Sequence, residues 1–166
     1  RPRVVHFAPS CKPWSQAQRF NVHNATASSK TIKAQELQRQ AMAKMAVLLK
    51  AIHSYSGEIM IENPSRSTYW NQQIVREFEN DIPSAREWRS FEMDFCRVGS
   101  AYKKRVRIMT TLSAQETAHM HLRCNHPNKH PPLVGRGEDG RPRTAATAVY
   151  MRDMRALIVG TAAAAA

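Results

Sequence analysis

Residues 4–15, Val-Val-His-Phe-Ala-Pro-Ser-Cys-Lys-Pro-Trp-Ser, and residues 57–64, Gly-Glu-Ile-Met-Ile-Glu-Asn-Pro, decide the fold. Each contains a short apolar run, Val4 to Ala8 and Ile59 to Ile61, and each then enters a proline-bearing loop. Short apolar runs bounded by turn residues read as buried strands. Between them, residues 32–53 carry Leu37, Ala41, Met45, Leu48, Leu49 and Ile52 at helical spacing, with Thr31 as a cap. The pattern predicts strand 3–8, helix 32–53 and strand 58–62, one βαβ crossover of the usual right hand. In an open α/β sheet, ligands bind at loops on the carboxyl ends of the strands. Here those two loops carry Cys11 and Glu62, a thiol and a carboxylate suited to nucleophile and acid roles.

Working outward, residues 9–31 read as a polar loop. Residues 67–79 read as a helix with Ile74 and Phe78 inward, stopped near Pro83. Residues 91–98 and 105–112 read as two strands joined around Gly99-Ser100. Ser113-Ala114-Gln115-Glu116 is a capping box that predicts a helix over 114–123. Residues 125–144 are rich in Pro, Gly and charge and read as a loop, followed by a short helix at 150–159. The expected class is α/β. A half-domain spans 1–112, a helix plus basic Pro/Gly-rich extension spans 113–161, and a poly-Ala tail of no assigned role spans 162–166. The chain opens on Arg1 rather than Met, as a processed product or fragment would.

The 166 residues suffice for one domain with a buried core. Their charge is strongly basic, with 25 Lys and Arg against 13 Asp and Glu for a net of +12. Such an excess favours a polyanionic partner, DNA or RNA, over a merely solvated surface. Lys12, Lys103, Lys104 and Arg105 are the candidate nucleic-acid contacts, the last three clustered with Arg107. No apolar run approaches the ~20 residues of a spanning helix, so membrane insertion is not expected. Three cysteines without paired spacing fit a reducing compartment. The place is expected to be intracellular, nucleus or organelle, with none singled out by the sequence.

Pro9-Ser10-Cys11, Glu62-Asn63-Pro64 and Arg105-Val106-Arg107, in that order, resemble the Pro-Cys, Glu-Asn-Val and Arg-x-Arg motifs of the DNA cytosine-5 methyltransferases. With Asp94-Phe95-Cys96, they are most similar to the shortened methyltransferase-like form found in algal and protist genomes and mobile elements. The likeness covers residues 4–112, with weaker echoes to about 155. It implies a partial Rossmann-like methyltransferase sheet with flanking helices and a loop-rich basic C-terminal region. It implies Cys11 as the nucleophile on cytosine carbon 6, Glu62 as the acid at ring nitrogen 3, and Arg107 holding the base. That base would be flipped out or already single-stranded. None of the six glycines forms the loop that binds S-adenosylmethionine, which the family places upstream of the Cys strand. The chain alone is therefore expected to bind nucleic acid, to hold no cofactor and to be inactive, S-adenosylmethionine entering only with a missing half.

Two further features bear on function. Cys124, His126 and His130 are candidate metal ligands, with His119 or His121 as a fourth, although the spacing matches no standard zinc module. Trp14, Tyr69, Trp70 and Trp88 could stack on bases, but aromatics at such positions more often fill a core. The alternative to the methyltransferase-like reading is a non-catalytic basic subunit of a large ribonucleoprotein, such as an organellar ribosome, or of another multi-subunit assembly with other protein chains as partners.

Overall fold

The computed structural model describes residues 3–16, 18, 25–55, 57–81, 87–133, 135–137 and 139–146. The expected helix at 150–159, the stop at Pro83 and the alanine tail lie outside them. Strand β1 (Val4–Phe7) leads through a loop into helix α1 (Ala25–Ser54), which returns to strand β2 (Glu58–Pro64). Helix α2 (Gln73–Asp81), strand β3 (Arg89–Asp94) and strand β4 (Arg105–Thr110) follow, then helix α3 (Ala114–Thr117) and helix α4 (Arg143–Ala146). The four strands form one mixed sheet in the order β1-β2-β4-β3, so the chain is α/β as expected. β1 and β2 are parallel, as a helical crossover allows, and β4 lies antiparallel to both β2 and β3. Among the described residues no helix is long and apolar enough to cross a membrane.

Alternation along β2 explains its place inside the sheet. Ile59 and Ile61 enter one cluster with Trp14, Met42, Leu49, Tyr69, Trp70, Val75, Phe78 and Met109. Met60 enters the opposite cluster with Met93, Phe95, Val98, Val106, Ile108, Leu112 and Met120. A strand buried on both faces reads as a continuous apolar run, and each fully buried Ile side chain contributes ~1.5–3 kcal/mol. Three of the aromatics considered for base stacking, Trp14, Tyr69 and Trp70, are buried in the first cluster.

Several boundaries differ from expectation. α1 starts at Ala25, inside the segment read as a loop. Its first turns are braced from outside, Thr31 donating to Gln18 Oε1 (2.9 Å) and Gln35 Nε2 to Pro13 O (3.0 Å). The core-facing row is Met42 and Leu49, flanked by Met45, Ala46 and Ile52, whereas Leu37, Ala41 and Leu48 are exposed. The segment expected as helix 67–79 divides at Gln72 into a 3-10 turn (Thr68–Asn71) and α2. β3 ends at Asp94 and the chain turns as a 3-10 helix (Phe95–Val98), closed by Gly99 at φ 88°, a conformation glycine adopts without strain. The Ser113 capping box is formed, but α3 gives way to a 3-10 turn (Ala118–Met120). The chain then leaves helical structure, and Leu122 O accepts from Asp94 N (2.8 Å) at the edge of β3.

Candidate functional site

The loops after β1 and β2 emerge at the same edge because the two strands are parallel. Proline at the start of the 3-10 turn Lys12–Trp14 fixes the first loop, and the buried Trp14 anchors it. Trp14 O accepts from Thr68 Oγ1 (3.1 Å), and Trp70 Nε1 donates to Pro64 O (2.9 Å). Asn63 Nδ2 donates to Pro9 O (2.9 Å) and so ties the loops together directly. Between them lies a cavity of about 380 Å³ lined by Cys11, Lys12, Glu62, Asn63, Phe95 and Lys104. That volume is within the ~300–1,000 Å³ of small-molecule sites. Cys11 is half-buried, Glu62 is 5% exposed, and Asn63 Oδ1 is buried without a protein donor. Lys104 Nζ stands 4.7 Å from the centre of the Phe95 ring.

Cys11 and Glu62 are therefore brought together, but Arg107 is not placed with them. Asn63 pairs with Arg107 and Glu62 with Ile108, and successive side chains of a strand point to opposite faces. Arg107 lies on the Trp70 side, its guanidinium 4.9 Å from that ring, and donates to Ser90 Oγ at 2.9 and 3.2 Å. Arg105 makes a two-point pair with Asp94, at 2.9 and 3.1 Å. Lys103 is exposed, so the basic cluster divides between surface, cavity and intramolecular pairing. The cations at the cavity are Lys12 and Lys104, both offered by the sequence as nucleic-acid contacts.

A second grouping lies just past the carboxyl end of β3. Cys96, Cys124, His126 and His130 each offer one ligand atom, and these atoms all lie within 4.8 Å of one another. Cys124 Sγ is 3.5 Å from His126 Nδ1 and 3.2 Å from His130 Nε2. Hydrogen bonds from the His126 backbone and from both imidazoles lower the Cys124 thiol, while burial and the neighbouring Cys124 raise that of Cys96. His130 is raised by its contact with Cys124. The fourth member is thus Cys96, not His119 or His121. His121 stacks on Phe91 instead, with ring centres 4.4 Å apart. Cys96 was legible as part of Asp94-Phe95-Cys96 but not as a ligand, since 27 residues separate it from Cys124. No family model, curated protein or solved structure matches this chain.

Proposed function

We propose that this chain binds nucleic acid and seats an unpaired cytosine in the cavity between Cys11 and Glu62. One observation carries the reading: a thiol, a buried carboxylate and two lysines line the same cavity at the carboxyl ends of two parallel strands. On this reading β1, α1 and β2 are the catalytic-loop half of a Rossmann-like methyltransferase sheet. Glu62 faces ring nitrogen 3, and Lys12 and Lys104 take the flanking phosphates. With Arg107 turned to Trp70, the holding role passes to Lys104, while Asn63 ties the two loops together through Pro9 O. The thiolate of Cys11 adds to carbon 6, forming an S–C6 bond, as ring nitrogen 3 takes a proton from Glu62. Carbon 5, now part of an enamine, accepts a proton from water. Loss of its original hydrogen as a proton to solvent, expulsion of the thiolate and return of the ring nitrogen 3 proton to Glu62 restore cytosine. On this reading methyl transfer belongs to a missing half, since none of the six glycines in the sequence forms an S-adenosylmethionine loop.

The first test is a fluorescence-anisotropy titration with a single-stranded oligonucleotide, repeated at two salt concentrations. Affinity should fall with salt by a log–log slope of about 0.7 per phosphate contact. Glu62→Gln should weaken a cytosine-containing strand by about ten-fold or more, as loss of a charged hydrogen bond of ~1.5–3 kcal/mol requires. Replacement of the cytosine by an abasic site should weaken wild type similarly. Exchange of the cytosine C5 hydrogen with deuterated solvent, absent in Cys11→Ser, reads thiol addition without a methyl donor. Absent or salt-independent binding sinks the nucleic-acid reading. Equal affinity for abasic and cytosine strands sinks the cavity, leaving a basic structural subunit of a ribonucleoprotein.

A further inference from the structure

We propose that Cys96, Cys124, His126 and His130 hold one zinc ion as a closed tetrahedral centre. It fastens the segment after α3 to the turn that ends β3. Zn–S distances near 2.3 Å and Zn–N distances near 2.0–2.1 Å give ligand-to-ligand edges of about 3.5 Å at the tetrahedral angle. The Cys124–His126 and Cys124–His130 separations, 3.5 and 3.2 Å, are of that size, and all four donors fall inside 4.8 Å. The imidazoles stand nearly perpendicular, at 88° with ring centres 5.0 Å apart, so two rings can converge on one point without clashing.

The surroundings are built as a ligand shell is built. His130 turns Nε2 to the cluster and Nδ1 to Ala101 O at 3.1 Å. A proton on Nδ1 leaves the Nε2 lone pair for the metal, the usual way a second partner sets the tautomer of a ligating histidine. Asp94 Oδ2 accepts from Cys124 N (2.9 Å) while its carboxylate also pairs with Arg105, which fixes the loop on which Cys124 sits. Arg97 reaches across to Asn125. Gly99 turns the chain after Val98, ending the short helix that presents the buried Cys96.

A structural need is visible as well. From Arg123 to Pro132 the chain has no helix or strand and most of its side chains are exposed, yet it folds back on the end of β3. Apolar burial of that size cannot order ten residues against their conformational entropy, whereas a metal crosslink can. Two thiolates and two imidazoles select zinc over the hard cations magnesium and calcium. Four protein ligands leave no open position for water or substrate, so the centre is structural. Its reach extends to the Gly99–Lys104 loop through the His130–Ala101 contact.

Elemental analysis of the full chain purified from zinc-supplemented cells without chelator tests this. One zinc per chain is expected. Cys96→Ser, Cys124→Ser and His130→Asn should each lower it to a small fraction, while Cys11→Ser, His119→Gln and His121→Gln should leave it at one. A ligand variant that fails to fold is bypassed by titrating the zinc-stripped wild type with cobalt(II). Two thiolates and two imidazoles predict tetrahedral visible bands and strong sulfur-to-cobalt charge transfer, saturating at one equivalent. Three results would overturn the proposal: metal-free protein that gives no such cobalt spectrum, a Cys96–Cys124 disulfide in protein isolated with alkylation, or full zinc content in Cys96→Ser.

Discussion

Asp94 closes β3 with a carboxylate that is fully buried and serves two partners, the Arg105 guanidinium and the Cys124 N–H. Burial pushes its pKa up, but the two hydrogen bonds outweigh that and hold it below the ordinary aspartate value. Removing one partner of a buried pair strands a charge and costs ~3–5 kcal/mol. Because the Arg105 side chain is 44% exposed, water can replace part of its contribution, and Arg105→Ala should cost ~2 kcal/mol. The sign with pH follows from the lowered pKa. The carboxylate's stabilising share is full above its unfolded pKa and is lost as pH falls through the folded value. Denaturant midpoints of wild type and Arg105→Ala should therefore differ most at neutral pH and converge below about pH 4, the unfolded aspartate range. A gap that widens on acidification would contradict this. The Asp94→Asn, Arg105→Ala double variant should recover part of the loss, since no buried charge remains. At this scale the sequence disclosed residue types but not directions. Arg105-Val106-Arg107 was readable as a strand with two cations on one face, yet nothing local told that the face is that of Trp70 rather than that of Glu62.

Helix α1 separates what periodicity reveals from what packing decides. Its existence was plain from the apolar spacing, but the rows through Leu48 and through Leu49 are adjacent on the helix, and both are apolar. The sheet covers only one: Leu49 is wholly buried and Leu48 is half exposed. Leu49→Ala should destabilise by ~2–5 kcal/mol, and Met42→Ala by a similar amount. Val47→Ala and Leu48→Ala should stay within ~0.5 kcal/mol. Urea unfolding of the four variants measures this, and comparable losses at Leu48 and Leu49 would mean that the helix is rotated from the orientation described. The seven extra residues at its start were unreadable for a related reason. Ser28, Ser29 and Thr31 are weak helix formers, and it is Gln18 and Pro13, reached through space, that brace Thr31 and Gln35. The end of α3 was missed because Leu122 and Cys124 spend their backbone groups on Asp94 instead of on a helix.

Across the whole molecule, the parallel pairing of β1 and β2 was legible because a thirty-residue helix joins them, while the inner position of β4 was not. A hairpin reads the same whichever strand faces the rest of the sheet. β4 lies inside because Val106, Ile108, Met109 and Thr110 are all buried, whereas β3 opens on the exposed Arg89 and Ser90. The charge of +12 is a property only of the whole, and it makes two opposed demands. Like charges repel most in the compact state, so the folded protein is destabilised by its own excess until salt screens it. The screening length falls from ~30 Å at 0.01 M salt to ~8 Å at 0.15 M. Exposed pairs such as Arg123–Glu92 and Arg39–Glu36 pull the other way, but each contributes only ~0–1 kcal/mol. Net repulsion should win. The thermal midpoint of the free protein should rise as sodium chloride increases over that range, while affinity for a single-stranded oligonucleotide falls over the same range. A saturating oligonucleotide should raise the midpoint most at low salt, where it both binds tightly and neutralises the excess. A free-protein midpoint that drops as salt is added would show that the local pairs, not the net charge, govern the electrostatics of this fold.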